Sequence, residues 1–339
     1  MICVCTTRPR TVWGSLTGMV LLLIQPASAV AASETRVFSG MCDASAVETL
    51  NDREFVVAND EDNQLRVYDW TRPGWPVRAL DLDRLWPPQG SRREMDLEGV
   101  ARLGSHLFWI SSHGRDAKGR AAPGRHALLR IPLDWLQTGA PPSAAPARYT
   151  DLLEALARDP RYARLRLDQA AARAPKSPGG LNIEALAATP QGALLIGFRS
   201  PLFEGRALFV PLLNPQALLD GSEPPRFGEP VFLALGGLGL RGAVEWERGY
   251  LLLAGSTDGG GRSRLLAWSG QPDQEPQELA SDALEGLNPE GLAFWPAKVP
   301  RRLLVVSDDG TRRLQDRDCK DLPAPQRQYR AITLPAPAP

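Results

Sequence analysis

Asp96-Leu97-Glu98-Gly99-Val100 returns as Asn182-Ile183-Glu184-Ala185-Leu186 and again as Asn288-Pro289-Glu290-Gly291-Leu292. Two degenerate copies, Asp43-Ala44-Ser45-Ala46-Val47 and Gly239-Leu240-Arg241-Gly242-Ala243, complete a set of five. After each copy comes a turn and then an apolar run ending in polar residues, at 55–60, 108–113, 194–199, 252–257 and 304–309. Short runs rich in β-branched and aromatic residues, broken by Gly, Pro and Asp, read as strands rather than helices. Third strands are expected at 64–70, 126–133, 207–212 and 263–268, and weaker fourth strands at 77–82, 230–235 and 276–280. The third residue of each copy (Ser45, Glu98, Glu184, Arg241, Glu290) recurs at intervals of 53, 86, 57 and 49 residues. A period near 50 residues built of four strands is what a β-propeller blade requires. A β-sandwich is the other all-β reading, but it gives no reason to repeat a glutamate at one strand position. The expectation is an all-β propeller of five four-stranded blades, with room for a degenerate sixth between Thr311 and the C-terminus.

The one long interval marks an insertion at roughly 140–180. It opens with the Pro/Ala-rich 140–147 and continues as an amphipathic helical stretch from Asp151. Asp151 with Glu154 resembles a capping box, and Pro160 is expected to break the helix in two. The helices are candidates for a lid. A propeller must close its ring, because an open edge strand invites pairing with other chains. The strand-like 35–39 and 328–334 are expected to share the last blade, which brings Cys42 and Cys319 to the same seam.

Arg8 and Arg10, the apolar run 19–24 and the small residues Ala27, Ser28, Ala29 and Ala31 together read as a cleaved secretory signal over residues 1–32. Residues 33–339 are then one propeller domain, periplasmic or secreted. With Cys3 and Cys5 removed, Cys42 and Cys319 remain, an even pair that forms a candidate disulfide in an oxidising compartment. Two buried free thiols are the alternative. No later segment is long and apolar enough to span a bilayer. With 39 basic and 39 acidic residues the formal net charge is zero, which gives no electrostatic footprint for nucleic acid. A monomer that binds a small molecule is expected.

Two polar columns emerge from the repeat. Inner strands line the axial channel of a propeller, so Glu98, Glu184 and Glu290 should converge there, with Asp43, Asp96, Asn182 and Asn288 two positions earlier. Clustered carboxylates raise one another's pKa and call for a cation, a proton or a basic side chain. Ca2+ suits the set, since it takes six to eight oxygen ligands and Asn182 and Asn288 could add amide oxygens. Arg241 in the same column offers the competing reading, a structural salt-bridge network. The second column lies at the ends of the second strands and holds Asp60, His113, Arg199, Asp258 and Asp308. His113 and Asp308 are candidate proton-handling residues. Arg199, Arg241, Asp60 and Asp258 are candidate ligand-binding residues. Turn chemistry accounts equally well for Asp308-Asp309-Gly310 and Asp258-Gly259-Gly260-Gly261. No Gly-x-Ser-x-Gly elbow, His-Glu-x-x-His or phosphate-binding glycine motif is present.

Asp96-Leu-Glu-Gly, Asn182-Ile-Glu-Ala, Gly197-Phe-Arg-Ser-Pro, Ala207-Leu-Phe-Val-Pro-Leu and Val306-Ser-Asp-Asp-Gly resemble the exported bacterial family called domain of unknown function 3616. Glu-Gly strand starts are also similar to those of phytase-like and lactonase-like propellers. The resemblance implies a propeller and export, and brings no assigned catalytic residues. Ala185 after Glu184, and Arg241 in the marker column, depart from a symmetric metal ring. The reading is an exported propeller that binds a small polar or anionic ligand at the channel mouth, with metal-assisted hydrolysis of an ester, lactone or phosphoester as its chemistry. A non-catalytic binding or scaffold module with a structural glutamate–arginine ring is the rival.

Overall fold

Each sequence repeat opens a four-stranded antiparallel sheet in the computed structural model, which describes residues 1–3, 33–87, 94–141, 145–279, 282–295 and 302–337. Blade 1 comprises Ala44–Thr49, Glu54–Asn59, Gln64–Asp69 and Arg78–Asp81. Blade 2 comprises Leu97–Leu103, His106–Ser111, Leu128–Pro132 and Ala147–Tyr149. Blade 3 comprises Asn182–Ala188, Leu194–Ser200, Ala207–Leu212 and Val231–Leu233. Blade 4 comprises Gly239–Trp246, Gly249–Gly255, Arg264–Trp268 and Gln277–Leu279. In blade 5, Pro289–Trp295, Arg302–Ser307 and Gln328–Pro335 are completed by the N-terminal strand Glu34–Ser39, which pairs antiparallel with Gln328–Pro335. The two ends of the chain thus close the ring as the sequence predicts.

The five first strands contact one another in a closed circle around the axis. Buried apolar side chains form five clusters, one in each gap between neighbouring blades. This is the layered alternative to one central core: each sheet is apolar on both faces and buries them against two neighbours. The closure gap between blades 5 and 1 is the most aromatic, with Phe38, Phe55, Tyr68, Trp70, Trp295 and Tyr329 in one cluster. Phe38 meets Phe55 edge to face at 5.1 Å and stacks on Tyr329 at 5.6 Å. Such pairs contribute about 0.5–1.5 kcal/mol each beyond the area they bury. The Cys42–Cys319 disulfide lies at the same closure, joining the start of blade 1 to a connection within blade 5 across 277 residues of sequence. Beside it, the Asp309 carboxylate accepts from Arg330 Nε at 2.8 Å and from Ser307 Oγ at 2.9 Å.

The marker residues owe their orientation to a repeated backbone defect. In every first strand the ladder to the second strand slips by one residue, between Ala44 and Ala46, Leu97 and Gly99, Ile183 and Ala185, Leu240 and Gly242, and Pro289 and Gly291. The residue left out of the ladder is Ser45, Glu98, Glu184, Arg241 or Glu290 in turn. A bulge re-aims its side chain, and five of them at one height turn the five markers into a set. The small residue after each marker has a steric cause. A Cβ at Gly99 would lie 2.9 Å from the Leu186 nitrogen of the next blade, and one at Gly291 would lie 2.9 Å from the Val47 nitrogen. The Glu-Gly step is therefore a packing requirement of the narrow ring as well as a chemical motif.

Four expectations need amendment. Residues 311–327 build no sixth blade: Arg313–Leu314 and Arg317–Asp318 pair as a small ribbon within the blade 5 connection. The stretch assigned to the insertion contains Ala147–Tyr149, the fourth strand of blade 2, so the helical segment begins only after it. There Leu152–Arg158, Pro160–Ala163 and Leu167–Ala171 are helical. Asp151 makes no side-chain cap; Asp159 caps the next helix instead, accepting from the Arg161 backbone at 3.0 Å. Leu152, Leu156, Tyr162 and Leu167 bury the apolar face of these helices in the gap between blades 2 and 3. They are a wedge rather than a lid. The predicted signal falls on residues outside those described from position 4 to 32. Among the described residues no helix is long and apolar enough to cross a membrane.

Candidate functional site

The bulged markers, the residues two positions before them and the ends of the second strands meet at one mouth of the axial channel, because antiparallel pairing brings these strand ends together. Its two halves differ in chemistry. On the side of blades 3, 4 and 5, arginines meet the glutamates. Arg241 Nε donates to Glu184 at 3.3 Å, Nη1 donates to Asn288 Oδ1 at 2.6 Å, and Nη2 contacts Glu290. Arg199 Nη1 contacts Glu184 Oε1, which also accepts from Asn182 Nδ2 at 2.7 Å. Arg199 Nε donates to the Ser256 carbonyl at 2.8 Å. All four charged groups are buried. Buried ions in such mutual contact hold each other in place; deleting one leaves the others costly.

On the side of blades 1 and 2 the carboxylates stand without such cover. Asp60, Asp96 and Glu98 each offer an oxygen, and these oxygens lie within 4.8 Å of one another. Glu98 is 8% exposed and makes no hydrogen bond or ion pair among the described residues. Asp60 Oδ1 is buried with no hydrogen-bond partner there, and so is Asn182 Oδ1. Asp96 alone has a cation, Arg125 Nη1 at 2.7 Å, which also contacts Glu94 through Nη2. Burial pushes the Asp60 carboxyl well above its ordinary range, with Asp308, Asp96 and Asp43 adding to it. Glu98 is pushed up in the same way by burial, Asp96 and Glu184, against the opposing pull of Arg199. Asp96 is raised by burial, which outweighs Arg125. Around them Asp43 is pushed up to about 7 by burial and by Asp308. Asp308 is raised by burial, while it accepts from Gly310 N at 2.8 Å and Asn288 Nδ2 at 3.0 Å.

The donor set passes a simple fit test for a hard cation. Two oxygens bound to Ca2+ at about 2.3–2.6 Å can stand up to about 5 Å apart, and the ion accepts six to eight of them. Carboxylate and amide oxygens without sulfur or imidazole suit Ca2+ or Mg2+ rather than a transition metal.

The remaining sequence candidates separate by backbone. His113 has φ 55, its Nδ1 lies 2.8 Å from the Ser111 carbonyl oxygen, and its ring stacks on His126 at 5.6 Å. Burial and His126 push it down to about 3, so it is neutral at physiological pH, among partners other than the axial carboxylates. Asp258 is exposed, accepts from Gly260 N at 3.1 Å and contacts Ser256 Oγ. Asp96 belongs to the first column of the repeat, whereas Arg125 and Glu94 carry no repeat signal at all. Below the mouth, the waist between Glu98, Glu184 and Glu290 leaves about 10 Å³. This is room for about one water. At the far end a cavity of about 240 Å³ opens, lined by Val100, Leu186, Ala243, Leu292, Phe294 and the Glu48–Arg102 pair.

A family model described as protein of unknown function (DUF3616) matches residues 143–320. No curated protein matches the chain. Among solved structures, glutaminyl cyclase from Myxococcus xanthus is 10% identical, with 89% of this chain and 95% of that chain covered and a TM-score of 0.47. A putative oxidoreductase (glucose dehydrogenase) from Thermus thermophilus is 16% identical, covering 89% and 100% with a TM-score of 0.42. The PQQ-bound aldose sugar dehydrogenase of Streptomyces coelicolor is 14% identical, covering 89% and 98% with a TM-score of 0.39.

Proposed function

The chain belongs to the DUF3616 family, and from that premise we propose that it is an exported propeller whose axial mouth binds a divalent cation, Ca2+ first, and over it a small polar ligand. The observation that carries the reading is the group of three converging carboxylates, Asp60, Asp96 and Glu98, in which Glu98 is buried without a partner among the described residues. Three such groups cannot all ionise in a low-dielectric mouth without positive charge, and their raised pKa values express that conflict. The orphaned Asn182 oxygen is a further donor. A cation held there supplies Lewis-acid polarisation of a ligand oxygen. The reaction class this suits is hydrolysis of an ester, lactone or phosphoester. Asp60 serves the cation in this reading. Glu184, Glu290, Asn288 and Arg241 form the supporting half, a network already satisfied within itself. That satisfaction is what favours a structural role for this half, as the scaffold reading holds. Export, to the periplasm or beyond, is supported by the basic-then-apolar start of the sequence and by the Cys42–Cys319 disulfide.

The test is a melting scan of chelator-treated protein with and without Ca2+, beside Asp60→Asn. A rise of several degrees with Ca2+ that Asp60→Asn abolishes is expected; no rise, or one that Asp60→Asn keeps, removes the cation. Turnover of a panel of esters, lactones and phosphoesters then separates enzyme from binding module.

A further inference from the structure

The loop that returns the helical insertion to blade 3 brings one more charge to the mouth. Lys176 acts on Asp308 and reaches the loop after the second strand of blade 4. There, a Cβ placed on Gly259 would lie 3.7 Å from Lys176 Nζ and 3.6 Å from Arg199 Nη2. Two cationic groups from different segments therefore face one small space, which any side chain at position 259 would occupy. Arg199 is 4% exposed, and its Nη2 has no hydrogen-bond partner among the described residues, while Nε and Nη1 each have an acceptor. A buried guanidinium held by two of its nitrogens presents the third as a fixed donor. Leaving that donor unmet inside a protein is costly, which points to an acceptor that arrives with a ligand. The local acid, Asp258, accepts from Ser256 and Gly260 rather than from Arg199.

We propose that Arg199 Nη2 and Lys176 Nζ form an oxyanion subsite beside Gly259, and that the group it takes is the phosphate dianion of a small phosphorylated ligand. The inference rests on the mouth being a ligand site and uses none of the cation's ligands. Two cations converging on one acceptor suit a dianion better than a monoanion, and each donates charge-assisted hydrogen bonds. Arg199 is locked and sets the position; Lys176 is exposed on a longer stem and closes over the ligand.

The experiment is calorimetric titration of the full chain with inorganic phosphate at pH 8 in EDTA, with acetate as the monoanion control. Wild type is expected to bind phosphate and to show no heat with acetate. Lys176→Gln, at a solvent-accessible loop position, should fold normally and bind phosphate at least tenfold more weakly, and Lys176→Arg should recover most of the loss. Unchanged phosphate binding in Lys176→Gln, or acetate binding as well as phosphate, overturns the proposal. Failure of the cation reading looks different: wild type then binds phosphate in EDTA yet shows no melting shift with Ca2+. A Ca2+ shift without phosphate binding sinks the subsite alone.

Discussion

Replacing Glu98 by glutamine keeps the shape of the side chain and removes one charge from the carboxylate cluster. Its oxygen lies within 4.8 Å of those of Asp60 and Asp96. At an effective dielectric of about 20, two unit charges at that separation repel by about 3.5 kcal/mol. Partial protonation of the cluster relieves some of this, leaving a gain of about 2 kcal/mol for the variant at pH 8 in EDTA. Unfolding entropy near 2.1 cal/mol/K per residue over roughly 300 residues turns that into a rise in Tm of about 3 °C. With Ca2+ at about a hundred times its Kd, wild type gains about 2.7 kcal/mol by mass action, or roughly 4 °C, and the variant gains little. The two melting curves should therefore exchange order: Glu98→Gln above wild type in EDTA, below it in Ca2+. Differential scanning calorimetry in the two buffers reads both. A variant less stable than wild type in EDTA would refute the reasoning, because it would mean that the Glu98 carboxylate is satisfied by the fold itself.

Arg241→Met leaves Glu184 and Glu290 without their shared cation and should cost about 3–5 kcal/mol by urea denaturation; a loss under about 1 kcal/mol would show that the network contributes little. The pH dependence has a defined sign. Asp43, pushed up to about 7 by burial and Asp308, and Glu94, pushed up to about 7 by burial and Asp96, both stabilise the fold in their protonated form. That contribution is complete below about pH 4 and is lost as pH rises through about 7, while His113, pushed down to about 3 by burial, works in the opposite direction only up to about pH 6.5, so in EDTA the Tm should fall between about pH 6.5 and pH 8. A Tm that rises over this range contradicts it. Reduction of Cys42–Cys319, or its replacement by a serine pair, should lower stability by up to about 5 kcal/mol on the chain-entropy argument for so long a loop; identical melting with and without reductant contradicts a stapled closure.

The repeat made most of the architecture legible, because a blade's period survives the loss of its consensus residues at Ser45 and Arg241. What it could not convey was orientation. The bulge that aims Glu98 into the mouth exists only once two strands are paired. The charge partition between Glu98, which lacks a partner among the described residues, and Glu184, which has two arginines, depends on which blades are neighbours. Asp60 and Asp96 were visible in separate columns; their meeting with Glu98 joins the end of a second strand in blade 1 to a first strand in blade 2. His113 read as a mouth residue by strand position, yet its left-handed backbone goes with a ring stacked on His126. Ala147–Tyr149 was hidden because three residues in a Pro/Ala-rich stretch carry no strand period. Lys176 lies in an insertion that has no counterpart in the other blades, so alignment of the repeats could not single it out.

The most direct measurement is a crystal structure of the protein grown with Ca2+, with anomalous difference density used to find the ion. The account predicts one strong peak per chain at the axial mouth, at about 2.3–2.6 Å from oxygens of Asp60, Asp96 and Glu98. A mouth holding only water, or an ion bound instead by Glu184 and Glu290 with Arg241 displaced, would contradict it.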